Sequence, residues 1–146
     1  MHCTAELLEE FIIRYGWAYE RVDESTWLTG WAGASTEYPL MIHLNDTSVL
    51  FEVRPYIDRS VDWKMHPELM IRLMQLNDET QIVKLAFSKE GDLILAAHAL
   101  AIYFGYENFN YLIGMIAYYA DHLQLEIFTP SLYVSESRGE KAYFLN

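Results

Sequence analysis

The stretch LNDETQIVKLAFSKEGDLILAAHAL, Leu76 to Leu100, decides how this chain is read. A helix ends at Leu76-Asn77, and Asn77 suits the left-handed residue that commonly closes one. An extended segment follows near Ile82–Phe87, then a tight turn at Lys89-Glu90-Gly91-Asp92, then a second extended segment, Leu93–Ala99. The pattern predicts a helix feeding a β-hairpin. No catalytic signature lies in it or beside it.

Pro67 fits the first turn of that helix, His66 to Leu76, with Leu69, Met70, Leu73 and Met74 along one side. Tyr56 to Met65 is charged and reads as a loop, and Pro55, with no amide to donate, ends the strand before it. Four extended segments precede Pro55: Ala18–Val22 and Thr26–Ala32, hinged at Asp23-Glu24-Ser25, then Tyr38–Leu44 and Val49–Arg54 across Asn45-Asp46-Thr47-Ser48. Thr4 caps a first helix in which Ala5, Leu8, Phe11, Ile12 and Tyr15 recur at helical spacing, and Gly16 offers a stop. A final helix runs from Asn108 to Leu125. The tail from Thr129 to Asn146 is more polar and broken by Pro130 and Gly139, although Tyr143-Phe144-Leu145 is able to dock. No repeat, linker or low-complexity segment divides the 146 residues, which read as a single domain, 1–146.

Composition excludes several classes of function. A net charge of −11, with no Lys or Arg between Glu90 and Ser137, opposes nucleic acid and anionic membrane surfaces, both of which need clustered cations. A basic partner stays open. Leu93 to Ala120 carries Glu107 as its only formal charge, but His98, Asn108, Asn110 and two glycines interrupt it, and the flanking apolar runs are short for a membrane span. Cys3 is the only cysteine, which fits a reducing compartment, and Glu6, Glu9 and Glu10 are unlike a secretory or transit leader. The expectation is a cytoplasmic protein.

The glycine-rich nucleotide motifs, the Gly-x-Ser-x-Gly elbow and the His-Glu-x-x-His zinc motif are all missing. The histidines at 2, 43, 66, 98 and 122 offer no pair at ligand-like spacing. His43 with Asp46 reads as a solvated hairpin end, and His98 as a hydrogen-bonded core or edge residue. Asp121 and His122 are helix neighbours and point about 100° apart. Cys3 reads as part of a loose terminus. No catalytic residue, cofactor or metal site is assigned.

Two apolar features stand out. If Thr26–Ala32 is a strand, Trp27 and Trp31 share one face, and with Trp17 they either roof the core or line a groove in which at least one ring stays partly exposed. The last helix has two apolar stripes. Phe109, Leu112, Ile113, Ile116, Ala120 and Leu123 form a sheet-facing side, whereas Tyr111, Met115, Tyr118 and His122 recur on another side where charge is expected. Either the tail from Ile127 to Val134 or a second subunit covers that second stripe, and a homodimer is the preferred expectation.

The segments LMQLNDETQIVKLAFSKEGDLILAAHAL (73–100) and NFNYLIGMIAYYADHL (108–123) carry a resemblance. From about Ala5 to Leu125 the chain resembles the YbjN-like family, whose members share the α+β fold of type III secretion chaperones. The resemblance implies an antiparallel sheet of five to six strands with helices at the N-terminus, middle and C-terminus, in α-β-β-β-α-β-β-α order. It also implies a cytoplasmic, dimeric protein with no catalytic residues to carry over. The leading functional expectation is a non-enzymatic protein-interaction or chaperone-like module whose protein partner is unknown. The alternatives are a small-molecule sensor or enzyme with a pocket near Trp27 and Trp31, and a purely self-associating structural or regulatory subunit.

Overall fold

In the computed structural model, which describes residues 1–128, the Leu76–Leu100 stretch does form a helix end and a hairpin, set in a larger sheet. The elements are α1 (Ala5–Tyr15), β1 (Glu20–Asp23), β2 (Thr26–Ala32), β3 (Glu37–Leu44), β4 (Ser48–Val53), α2 (Pro67–Glu79), β5 (Lys84–Phe87), β6 (Leu93–Leu100) and α3 (Tyr106–Phe128). All six strands join one antiparallel sheet in the order β1-β2-β3-β4-β6-β5. The sheet thus takes the upper of the two expected counts, with four strands rather than three before α2.

Alternation along the strands decides which face is covered. Tyr38, Leu40 and Ile42 of β3 and Val49, Phe51 and Val53 of β4 are all buried, whereas Met41, Leu50 and His43 on the other face remain partly open. Helices pack on the buried face: Phe51 meets Phe109 of α3 at 5.8 Å between ring centroids, and Phe109 meets Phe11 of α1 at 6.0 Å. The sheet-facing stripe of α3 is buried along its whole length, from Phe109 through Leu123 to Ile127. α1 is bounded as its sequence dictates. The Leu7 amide donates to Thr4 Oγ1 at 3.2 Å, and Gly16 closes the helix at φ 100°.

Several boundaries differ from the sequence expectation, each for a local reason. α2 continues through Asn77 to Glu79, and Thr80, in extended backbone, ends it. Asn77 is not a left-handed cap, because its side chain is engaged elsewhere: Nδ2 donates to the Leu85 carbonyl at 2.9 Å and Oδ1 accepts the Leu85 amide at 2.7 Å. The carbonyls that the helix end leaves free at Asn77 and Thr80 are taken by Lys84 Nζ, at 2.8 and 2.9 Å. β5 begins at Lys84 rather than Ile82, since Ile82 lies at φ 70° and turns the chain off the ladder. The 56–65 loop is anchored by buried Tyr56, Ile57 and Trp63. α3 begins at Tyr106 and reaches Phe128, so Ile127 is a core residue of the helix and not part of a covering tail. The rest of that proposed cover, 129–134, lies outside the described residues, as does Tyr143-Phe144-Leu145. Cys3 is buried rather than loose: its amide donates to the Ala101 carbonyl at 2.9 Å, and burial pushes its thiol pKa up. Among the described residues no helix is long and apolar enough to cross a membrane.

Candidate functional site: an open strand edge with an aromatic wall

β6 has eight residues and β5 has four, so β6 outruns its neighbour. The ladder between them stops at Lys84 opposite Ala96. On the other side, β6 stays paired with β4 as far as Leu100 opposite Ser48. Which backbone groups this leaves unpaired follows from alternation. The Leu93 carbonyl accepts from Tyr56 and the Ala101 amide donates to Thr47, both on the β4 side, so odd-numbered residues of β6 face β4 and even-numbered ones face β5. β5 serves Ile94 and Ala96. Among the described residues no strand lies opposite His98 and Leu100, and their amides and carbonyls point outward along an open half-edge.

This half-edge borders a surface depression of about 550 Å³ whose lining includes Ile82, Leu100, Ile102, Tyr103 and Tyr111. All five carry large exposed apolar surfaces: Ile102 is 42% exposed, Ile82 45%, Tyr111 51%, Leu100 69% and Tyr103 74%. Apolar exposure on this scale in one place marks an interaction surface more often than a scattered leucine does. Backbone strain collects here too. Ile82 at φ 70° and Tyr103 at φ 58° are the positive-φ residues other than glycine among the described residues, and both line the depression. A β-branched residue in the left-handed region is a genuine outlier, and such strain clusters at functional sites. The Gln81 amide, bonded to the Tyr119 hydroxyl of α3 at 3.2 Å, fixes the chain just before Ile82.

The sequence leaves Trp17, Trp27 and Trp31 between roofing the core and lining a groove. Trp27 is fully enclosed, and its indole N–H donates to Glu9 Oε1 of α1 at 3.3 Å. It is core and lines no groove. Trp31 shares its sheet face, as the registers Trp27↔Ile42 and Trp31↔Tyr38 require, and stays half-buried, stacked on Trp17 at 5.4 Å with planes 13° apart. The shallow depression that includes Trp31 contains neither Trp17 nor Trp27. On α3, Tyr111, Tyr118 and His122 are exposed and Met115 is half-buried; His122 stacks on Tyr118 at 5.6 Å. Of this stripe only Tyr111 borders the open edge.

The titratable groups are tied into structure. His43 Nδ1 is 2.9 Å from Thr26 Oγ1 rather than meeting Asp46, and His98 is exposed on the uncovered sheet face. Asp121 accepts the Ala34 amide at 2.9 Å and stands beside the Tyr38 hydroxyl, while His122 turns away to Tyr118. No group of three or more His, Cys, Asp or Glu among the described residues is placed to hold a metal ion. A larger cleft, about 640 Å³, between the 57–64 loop and the Gly91 turn is crossed by the Arg59–Asp92 ion pair at 2.9 Å.

Sequence reasoning missed Ile82, Leu100, Ile102 and Tyr103. A β-branched residue before a strand reads as more strand, and nothing in its side chain announces a left-handed backbone. The one available signal was the density of large apolar residues in HALAIYFGY, 98–106, just past the predicted strand end.

This architecture, one antiparallel sheet covered on one face by N-terminal, middle and C-terminal helices, is the YbjN-like, type III secretion chaperone-like fold. Solved structures share it, among them the following two. One is a chain of the heterodimeric ExoU–SpcU complex from the type III secretion system of Pseudomonas aeruginosa, at TM-score 0.56 and 17% identity, covering 84% of this chain and 98% of that one. The other is YbjN of E. coli, described as a transcription regulator by proposal, at TM-score 0.56 and 15% identity, covering 87% and 90%. No known family profile and no curated protein matches the chain.

Proposed function

We propose that the chain is a cytoplasmic, non-enzymatic protein-binding module, chaperone-like in action, that takes an extended segment of a partner as an added strand beside β6. The observation that carries this reading is the unpaired half-edge at His98 and Leu100 with large exposed apolar side chains around it. Main-chain hydrogen bonds to an edge supply affinity without regard to sequence, and pockets for alternate side chains supply selectivity. The ExoU–SpcU relative is itself a two-protein complex, which is in keeping with such a role.

The test is selection of random dodecapeptides displayed on phage, followed by titration of the selected peptides against variants. Leu100→Pro removes one outward donor at a position where proline is tolerated, because that amide has no partner within the sheet. Binding should weaken at least about tenfold in Leu100→Pro and in Tyr111→Glu, the loss of one hydrogen bond or one apolar contact. Peptides that bind all three proteins equally would sink the strand-addition reading.

A second reading, self-association, is favoured by the exposure of Tyr118, which is 60% open on a helix face that sequence expects to be charged. The homodimer would bury Tyr111, Met115, Tyr118 and His122. Light scattering at micromolar concentration should then give twice the monomer mass, reduced to the monomer by Tyr118→Glu and retained by Tyr118→Phe. A monomer throughout removes the dimer and leaves strand addition standing.

A further inference from the structure

We infer that the segment Leu132-Tyr133-Val134 of this chain docks into an apolar groove between α2 and β5. The groove is separate from the β6 half-edge and its depression, with which it shares no lining residue. Leu73, Leu85 and Leu93 make its buried floor, and Met70, Met74 and Phe87 are its exposed walls. None of its lining residues is charged, and the one side-chain amide among them, that of Asn77, is already satisfied by the Leu85 backbone. At about 220 Å³ the groove is smaller than an ordinary ligand cleft, about 300 Å³ or more, and suits apolar side chains better than a free small molecule. Methionines one turn apart on α2 give it walls that adapt to what fills it.

The end of α3 selects the occupant. Phe128, the last residue of that helix, has its ring 6.4 Å from the ring of Trp63, and Trp63 in turn lies 5.7 Å from Phe87 on the groove wall. The helix therefore delivers the chain beside the groove. Pro130 has no amide with which to carry the helix on. Thr129 to Ser135 carries no charged residue, and Leu132, Tyr133 and Val134 are its large apolar side chains. Leu132 is four residues past Phe128, a reach of about 13 Å, which spans those two ring-to-ring steps. Because it is tethered, the segment meets the groove at an effective concentration on the order of millimolar, which an unlinked partner or a second copy has to match. Tyr143-Phe144-Leu145 is apolar too, but it follows Glu136, Arg138, Glu140 and Lys141 on a longer tether, which lowers that concentration.

The experiment is oxidation of the full chain by dilute hydrogen peroxide, with sulfoxide at each methionine read by mass spectrometry. Met74 on the groove wall and Met65 outside the groove are both 71% exposed, so with the groove empty they should oxidise alike. With the groove filled, Met74 should oxidise at least about threefold more slowly than Met65. That ratio should hold on about a hundredfold dilution, as for an occupant within the same chain. In a variant combining Leu132→Ser, Tyr133→Ser and Val134→Ser, Met74 should return to the rate of Met65, because hydroxyls lose their water in an apolar groove and gain no partner. Equal rates at Met65 and Met74 in the parent overturn the inference. Slow oxidation of Met74 that persists in the triple variant assigns the cover to other residues and overturns it as well. Slow oxidation that fades on dilution assigns the cover to a second copy, with the same result.

Discussion

Ile82 combines a β-branched side chain with a left-handed backbone, a pairing that costs about 1–2 kcal/mol over an extended residue. Its placement explains why β5 is short. The chain leaves the ladder there, and the four residues of β6 from Ala97 to Leu100 lose a neighbour. Asparagine tolerates this backbone because its short polar side chain bonds locally. Ile82→Asn should therefore raise stability by about 0.5–1 kcal/mol, read as a higher urea midpoint at unchanged slope, while removing apolar surface from the site and weakening peptide binding. A loss of stability would mean that the Ile82 side chain is held by packing worth more than the strain. Glu9 is a residue of the opposite kind, fully reconciled with its surroundings. Hydrogen bonds from Tyr19, then Trp27, and the nearby Arg21 guanidinium hold its carboxyl below the ordinary 4.5. The folded state thus favours the carboxylate, so this contribution is complete above the unfolded pKa and is lost as pH falls through the lower folded one. Glu9→Gln should therefore lower stability in the neutral region and flatten the acid limb below pH 4.5, so that the variant and the parent converge in strong acid.

At the scale of elements, the edge strand β5 is sealed by a side chain. Asn77 presents a donor and an acceptor to Leu85 as a neighbouring strand would. Asn77→Ala leaves both Leu85 groups without their amide partners, and should cost about 1–3 kcal/mol. It also opens the outer edge of β5, so the variant should scatter more light on standing at high concentration than the parent. An unchanged urea midpoint would show that water replaces the amide at no cost. Elements were also the scale at which the sequence was most legible. Helical spacing located α1, α2 and the buried stripe of α3, because burial on one side imposes a period that side chains record. The Gly91 turn and the caps at Thr4 and Gly16 were equally readable, being local chemistry. Asn77 was misread because its residue type suits two roles, and only the position of Leu85 in space selects between them. The open edge was invisible for a related reason: it depends on the difference in length of two strands, one of which is ended by a backbone angle. Trp27 and Trp31 were correctly paired on a face, but how deep each lies depends on α1, whose Glu9 captures one indole and not the other.

Across the whole molecule, the end of α3 is fastened to the sheet by two buried tyrosines. Tyr38 of β3 donates to Gln124 Oε1 at 2.6 Å, Tyr56 donates to the Ala120 carbonyl, and their rings lie 5.9 Å apart. Gly33 passes so close that a Cβ there would lie 2.4 Å from the Tyr38 ring. Burial, with the Asp121 carboxylate adding to it, pushes Tyr38 up to about 12. Burial pushes Tyr56 higher still. Because the folded state holds these protons more tightly, the stabilisation is complete below the ordinary value of 10 and is lost as pH rises beyond it. Phenolate absorbance should rise in two stages, exposed tyrosines first, with Tyr38 and Tyr56 ionising only as the fold opens. A single stage centred near pH 10 would contradict the enclosure of both rings. The sealing of β5 has a further consequence when the two ends of the sheet are considered together. At the far end, β1 is exposed throughout and carries Glu20, Arg21 and Asp23, charges of the kind that discourage a neighbour. With one border charged and the other plugged by Asn77, strand addition beside β6 would give the molecule a valency of one. A segment received there would leave no second vacancy among the described residues from which a chain of copies could grow, so complexes formed in this way should end at one segment per protomer rather than lengthen into filaments.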